Sequence, residues 1–264
     1  ELNEPKLMLL CLILLIPFSL KAEEKKGDPG LVSPPVNLNP GSEYASSNRF
    51  FQGIPGIERA SNGRLWAIWY GGGKTEGDEN YVMLVTSGDK GKSWTDLKVV
   101  VDPPGPVRAY DSALWIDPTG RLWAFWAQSF HWWDGRSGVW AITTNNPQEE
   151  NPKWSEPRRL CDGIMMNKPT VLSTGEWILP AAIWKQKSKN RDLVFTPDDA
   201  PGTHFRVSKD QGKTWSLLGT ANIPKTTFDE HMLIERKDGT LWVLARTSYG
   251  IGESISNDQG KTWS

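Results

Sequence analysis

The chain has 264 residues, with 30 basic and 31 acidic side chains and a formal charge of −1. It is long enough to bury a sizeable core, and it lacks the basic excess that nucleic-acid or polyanion binding requires. Its 15 tryptophans and 25 glycines, beside five tyrosines and five methionines, point to large flat rings that either stack on sugars or fill a repetitive β core.

In chain order, residues 7–20 form an uninterrupted largely apolar run, LMLLCLILLIPFSL, too short for a comfortable membrane span and followed by charged residues. This predicts a signal peptide over 1–22 and an extracytoplasmic protein, secreted or periplasmic, with no membrane association in its mature form. Cys11 would leave with that segment, so Cys161 has no intramolecular partner and the fold is expected to do without a disulfide. Residues 23–48, rich in Pro, Gly, Ser and Asn, read as a linker.

From residue 49 two phrases alternate. Gly-initiated apolar strands begin GRLWAIW at Gly63, GRLWAFW at Gly120, GEWILPA at Gly175 and GTLWVLA at Gly239, 55 to 64 residues apart. Between them recur SGDKGKSW, SKDQGKTW and SNDQGKTW, ending at Trp94, Trp215 and Trp263, with TTNNPQEENPKWS as a worn copy ending at Trp154. Interleaved periods of this length mark a radial or stacked repeat. Each unit reads as four short strands, the first at about 53–60, 64–71, 80–87 and 95–101, which is the content of a propeller blade. The octapeptide then has a mechanical role: between third and fourth strands its Asp bonds turn amides, its Gly supplies a positive φ and its Trp packs inward. Asp89, Asp210 and Asp258 are therefore read as structural.

The pattern S-x-D-x-G-x-[ST]-W resembles the Asp-box, or BNR repeat, of the sialidase (neuraminidase) superfamily, and the resemblance covers about residues 49–264. It implies an all-β fold, a β-propeller of four-stranded blades with six blades in the complete family fold. About four are expected in this sequence, which ends at the fourth blade's hairpin and is read as C-terminally truncated. It also implies that chemistry sits on the rim opposite the Asp-box turns. On that rim, the loop YGGGKTEGDENYVML places Asp78 at the family's acid/base position. TFDEHMLIERKDGTLWVLARTSYG places Glu230 as the carboxylate that activates a tyrosine nucleophile, and Arg246 as one of three arginines that clamp a substrate carboxylate. The tyrosine and third arginine are expected beyond residue 264. The family's Arg-Ile-Pro opening is Gln52-Gly53-Ile54-Pro55 here, so Gly53 stands where the first clamp arginine is expected.

Other residues assigned to this rim are Gln52, Asp111 of YDSALWIDP, Tyr249, and His131, Trp132 and Trp133 of SFHWWDGRSG, the last three as a stacking wall for a sugar ring. The basic loop Lys185, Lys187, Lys189 and Arg191 reads as a solvated segment that would steer an acidic glycan. Histidine and cysteine spacing predicts no metal site, and GGGK at 71–74 lacks the spacing of a phosphate loop, so no cofactor is expected. The expected activity is removal of a terminal acidic sugar, sialic acid or similar, from a glycan. Two alternatives stay open: a non-catalytic glycan-binding propeller, and a hydrolase acting on a uronic or modified sugar.

Overall fold

A computed structural model describes residues 28–185 and 197–264; the segment 1–22 and its Cys11, and the basic residues Lys187, Lys189 and Arg191, lie outside the described residues. The described chain forms four antiparallel sheets in succession. The first contains β1 (Val36–Asn37), β2 (Gln52–Arg59), β3 (Leu65–Gly71), β4 (Tyr81–Ser87) and β5 (Val99–Val101), in the spatial order β1-β5-β4-β3-β2. The second contains β6 (Val107–Ile116), β7 (Leu122–Phe130), β8 (Gly138–Thr144) and β9 (Arg158–Asp162), and the third β10 (Thr170–Val171), β11 (Trp177–Ile183), β12 (Gly202–Ser208) and β13 (Ser216–Ala221). The fourth has three strands, β14 (Thr226–Glu235), β15 (Leu241–Thr247) and β16 (Gly250–Ser256). These are propeller blades, with strands close to those read from the repeat.

The tryptophans explain why the blades stack. One core lies between the first and second blades, where Trp66, Ile68 and Tyr70 meet Ala109, Tyr110 and Leu114. Trp154, from the worn repeat, closes it edge-on against Trp66 at 5.7 Å. A second core joins blades two and three through Trp115, Trp123, Phe125 and Trp177, with Trp115 and Trp177 at 4.9 Å between ring centroids. A third joins blades three and four through Ile178, Phe205, Leu233 and Val243, where Trp263 stacks on Phe205 at 4.6 Å. Strand β7 is buried along nearly its whole length because both its faces meet another blade. Two of the buried indole N–H groups find acceptors, Trp66 donating to the Pro147 carbonyl and Trp123 to Asp117, both at 2.8 Å, whereas those of Trp126 and Trp140 have none.

The three octapeptide turns repeat one hydrogen-bond pattern. Asp89 Oδ1 accepts from Ser87 Oγ at 2.8 Å and from the Ser93 amide at 2.9 Å, and its Oδ2 accepts from Ser93 Oγ at 2.6 Å. Asp210 makes the same contacts with Ser208 and Thr214, and Asp258 with Ser256 and Thr262. These bonds favour the charged form, and each carboxyl is held down at about 2. Gly91, Gly212 and Gly260 have φ values of 84°, 81° and 88°, which an L side chain rarely adopts.

The linker reading of 23–48 is corrected from Asp28 onward. β1 pairs antiparallel with β5 and adds a fifth strand to the outside of the first blade. Gln128 Nε2 donates to the Val32 carbonyl at 3.1 Å, and buried Arg136 pairs with Asp28 at 3.0 Å and with Asp134. A Pro- and Ser-rich composition marks absence of regular structure, and says nothing of whether a segment is docked.

Candidate active site

Antiparallel alternation puts the starts of the inner strands β2, β6, β10 and β14 and the ends of β3, β7, β11 and β15 on one rim. The Asp-box turns, which follow β4, β12 and β16, lie on the other. A pocket of about 230 Å³ opens on the first rim, lined by Glu76, Arg108, Asp111, Glu230 and Arg246, by the aromatic residues Tyr110, Trp132, Trp133, Trp184 and Phe228, and by Ile54 and Met166. All four described blades contribute to it.

A bulge lies in three of the four inner strands where they approach this pocket. The β2 pairing with β3 shifts between Gly53 and Gly56, the β6 pairing with β7 between Tyr110 and Ala113, and the β14 pairing with β15 on both sides of Asp229. At these breaks Ile54, Asp111, Asp229 and Glu230 have φ values of 49°, 44°, 57° and 38°. Each such non-glycine conformation costs about 1–3 kcal/mol and persists only where surroundings over-determine it. Around Glu230 the third blade does that: Asn167 Nδ2 donates to the carbonyls of Glu230 and His231 at 3.2 and 2.9 Å, Trp184 Nε1 to the Phe228 carbonyl at 2.6 Å, and Thr203 Oγ1 to Asp229 at 2.9 Å.

Of the residues expected at the site, the pocket brings together Asp111, Trp132, Trp133, Glu230 and Arg246. Arg246 Nη1 donates to Glu230 Oε1 at 2.7 Å, and the guanidinium lies 5.4 Å from the Phe228 ring. Asp111 is 4% exposed, and burial pushes its carboxyl up from 3.8 to about 7; Arg108 opposes that rise, while Glu76 and Glu230 add to it. The two adjacent tryptophans divide their work. Trp133, 7% exposed, donates to the Lys185 carbonyl at 2.7 Å and packs edge-on against Trp184 at 5.0 Å, whereas Trp132 is 39% exposed at the mouth.

Asp78, His131, Gln52 and Tyr249 do not line the pocket. Asp78 lies on the expected rim but bonds His131 Nδ1 at 2.6 Å, both side chains being about half exposed, and it lines a broader hollow with Glu43, Glu79 and Asp102. Gln52 accepts from Trp69 Nε1 at 2.9 Å, and Tyr249 is exposed in the β15–β16 turn. Arg49, near the missing family arginine in sequence, lies against Met83 and Trp69.

Sequence reading missed Ile54, Glu76, Arg108, Tyr110, Met166, Trp184 and Phe228. Glu76, which accepts from the Tyr70 hydroxyl, is two residues before Asp78 in the same acidic loop, so only the loop's path selects it. Arg108, three residues before Asp111, carried the one usable signal: a second charged residue at the start of the same inner strand. Among the described residues no group of three or more His, Cys, Asp or Glu side chains is arranged to hold a metal ion.

Residues 63–264 match the BNR repeat-like domain family. This chain belongs to that family. Structures with the same fold include the Hadza microbial sialidase Hz136, at 19% identity and a TM-score of 0.61 over 83% of this chain and 47% of that one. They also include a protein of unknown function from Dyadobacter fermentans, at 16% identity and a TM-score of 0.63 over 90% and 72% of the two chains. The NanB sialidase of Streptococcus pneumoniae is similar at 13% identity and a TM-score of 0.57, over 83% and 52%. The chain thus spans about half the length of these two sialidases. No curated protein sequence matches it significantly. The BNR repeat-like chain has a sialidase-like propeller fold, at identities that speak to the fold alone.

Proposed function

We propose that this chain carries the pocket of an exo-glycosidase of the sialidase-like superfamily, acting outside the cytoplasm and removing a terminal acidic sugar, sialic acid or a similar one, from a glycan. One observation carries the reading: a buried carboxyl, two guanidinium groups and an aromatic wall converge on the rim opposite the Asp-box turns. Arg246 holds the sugar carboxylate through its planar fork, and Trp132 stacks on the ring. Asp111 gives its proton to the glycosidic oxygen as the bond to the leaving group breaks. This duty falls to Asp111 and not to Asp78, because Asp111 lines the pocket while Asp78 lies outside it, and burial raises the Asp111 carboxyl to about 7, where a general acid can still hold its proton near neutral pH. Glu230, fixed by Arg246, assists the nucleophile that the family resemblance implies. The apolar run at 7–20 supports export.

Two features favour a second reading, glycan binding without cleavage or cleavage of a uronic or modified sugar: Glu230 is already paired by Arg246, and Gly53 replaces the family arginine. A panel of fluorogenic glycosides decides among them. Release of fluorophore from sialosides, lost in Asp111→Asn while sugar binding persists, supports the hydrolase. Release only from uronides moves the substrate, and binding with no cleavage of any member leaves the lectin reading.

A further inference from the structure

The three pocket carboxyls are each accounted for. Glu76 accepts from Tyr70, Glu230 is paired by Arg246, and burial drives Asp111 toward its neutral form. Arg108 has no such complement. It is 2% exposed, its Nη2 donates to Asn80 Oδ1 at 3.1 Å, and its guanidinium sits 3.9 Å from the centroid of the Tyr110 ring and 5.5 Å from that of Trp132. Its Nε is buried with no hydrogen-bond partner, and among the described residues Arg108 makes no ion pair. A buried guanidinium with no ion pair is costly, and stacking on two rings and the nearby Asp111 carboxyl offset only part of that cost. An anion entering the pocket supplies the missing partner.

Gly53 strengthens the case. A Cβ there would meet Phe51 Cζ at 3.1 Å, tighter than an ordinary contact, so any side chain at this position requires the Phe51 ring to shift. We propose that Arg108, from the inner strand of the neighbouring blade, serves with Arg246 as the second arm of the carboxylate clamp and makes the pocket selective for acidic over neutral sugars. This rests on the reading of the pocket as a glycan site.

The test is calorimetric binding of N-acetylneuraminic acid and glucuronic acid against their methyl esters, with the native protein, Arg108→Met and Arg108→Lys, each checked by thermal melting. The native protein is expected to prefer the acids tenfold or more, a ratio that falls at least tenfold in Arg108→Met. In Arg108→Lys, which keeps the stem and charge but loses the fork, the ratio falls about threefold or more. An unchanged ratio in a folded Arg108→Met overturns the proposal and leaves the glycan-site reading standing. If Arg108→Met does not fold, an unchanged ratio in Arg108→Lys overturns it equally. Failure of the native protein to bind either acid or ester defeats the site reading itself, and the clamp with it.

Discussion

Replacing Asp111 with asparagine should make the protein more stable while removing its activity. The side chain is 4% exposed, and burial pushes its carboxyl from 3.8 to about 7, with Glu76 and Glu230 adding to the rise and Arg108 opposing it. A carboxyl whose folded-state value is raised binds its proton more tightly in the native state than in the unfolded chain. Between pH 4 and pH 7 the native state therefore holds the proton and the unfolded state does not, so stability falls as pH rises through that window and levels off above it. At about 1.4 kcal/mol per pH unit the loss is under ~1 kcal/mol at pH 4 and on the order of 4 kcal/mol at pH 8. Asparagine has nearly the same shape, carries no charge and tolerates the φ of 44° that the bulge imposes. Urea denaturation at pH 4 and pH 8 reads the difference: the two proteins should nearly coincide at pH 4, with the asparagine variant more stable by up to about 4 kcal/mol at pH 8. Equal stability at pH 8, or a variant weakened at both values, would refute the idea of a buried proton-bearing carboxyl.

The same group predicts that turnover by the native protein falls as pH rises through about 7, where Asp111 gives up its donor proton; a rate flat from pH 6 to pH 9 speaks against this assignment. Trp133→Ala should destabilise by about 3–5 kcal/mol because it empties a packed site between Trp184 and Phe228, whereas Trp132→Ala should weaken sugar binding by about 1 kcal/mol with little change in melting. Gly53→Arg should not improve sialoside turnover, because its Cβ would press on the Phe51 ring at 3.1 Å; a gain would mean that ring yields readily. Asp210→Ala should lower the melting temperature without altering sugar affinity, and the stability this carboxylate provides is present above about pH 4 and lost as pH falls through about 2.

How far these features could be read in advance depends on how local their causes are. The Asp-box turns were legible because every bond of Asp89, Asp210 and Asp258 described here reaches a residue within four positions, so eight residues specify the geometry. Strand positions followed from the Gly-initiated apolar phrase for a similar reason: the glycine turns the chain and the apolar run after it must be buried between blades. The pocket is another matter. Glu230 and Arg246 were found because one hairpin carries both at the spacing of the family segment, Arg246 lying opposite Asp229 and bonding the adjacent Glu230. Arg108, Trp184 and Phe228 come from three different blades, and only assembly of the ring brings them together. The choice of Glu76 over Asp78 depends on the path of a loop braced by Asn80, whose amide donates to the carbonyls of Gly72 and Thr75 at 3.1 Å. Bulges with positive φ at Asp111 and Glu230 have no glycine to announce them, since tertiary contacts and not local preference hold them. The segment from Asp28 to Val36 misled for the opposite reason: its composition is that of a loop, yet Arg136 and Gln128 fasten it to the second blade.

The most direct test of the account is a crystal structure of the protein soaked with N-acetylneuraminic acid. The carboxylate is expected between Arg108 and Arg246, with the ring against Trp132 and a sugar oxygen within hydrogen-bond reach of Asp111. Density for the sugar at the Asp-box turns, or a carboxylate directed away from both arginines, would contradict it.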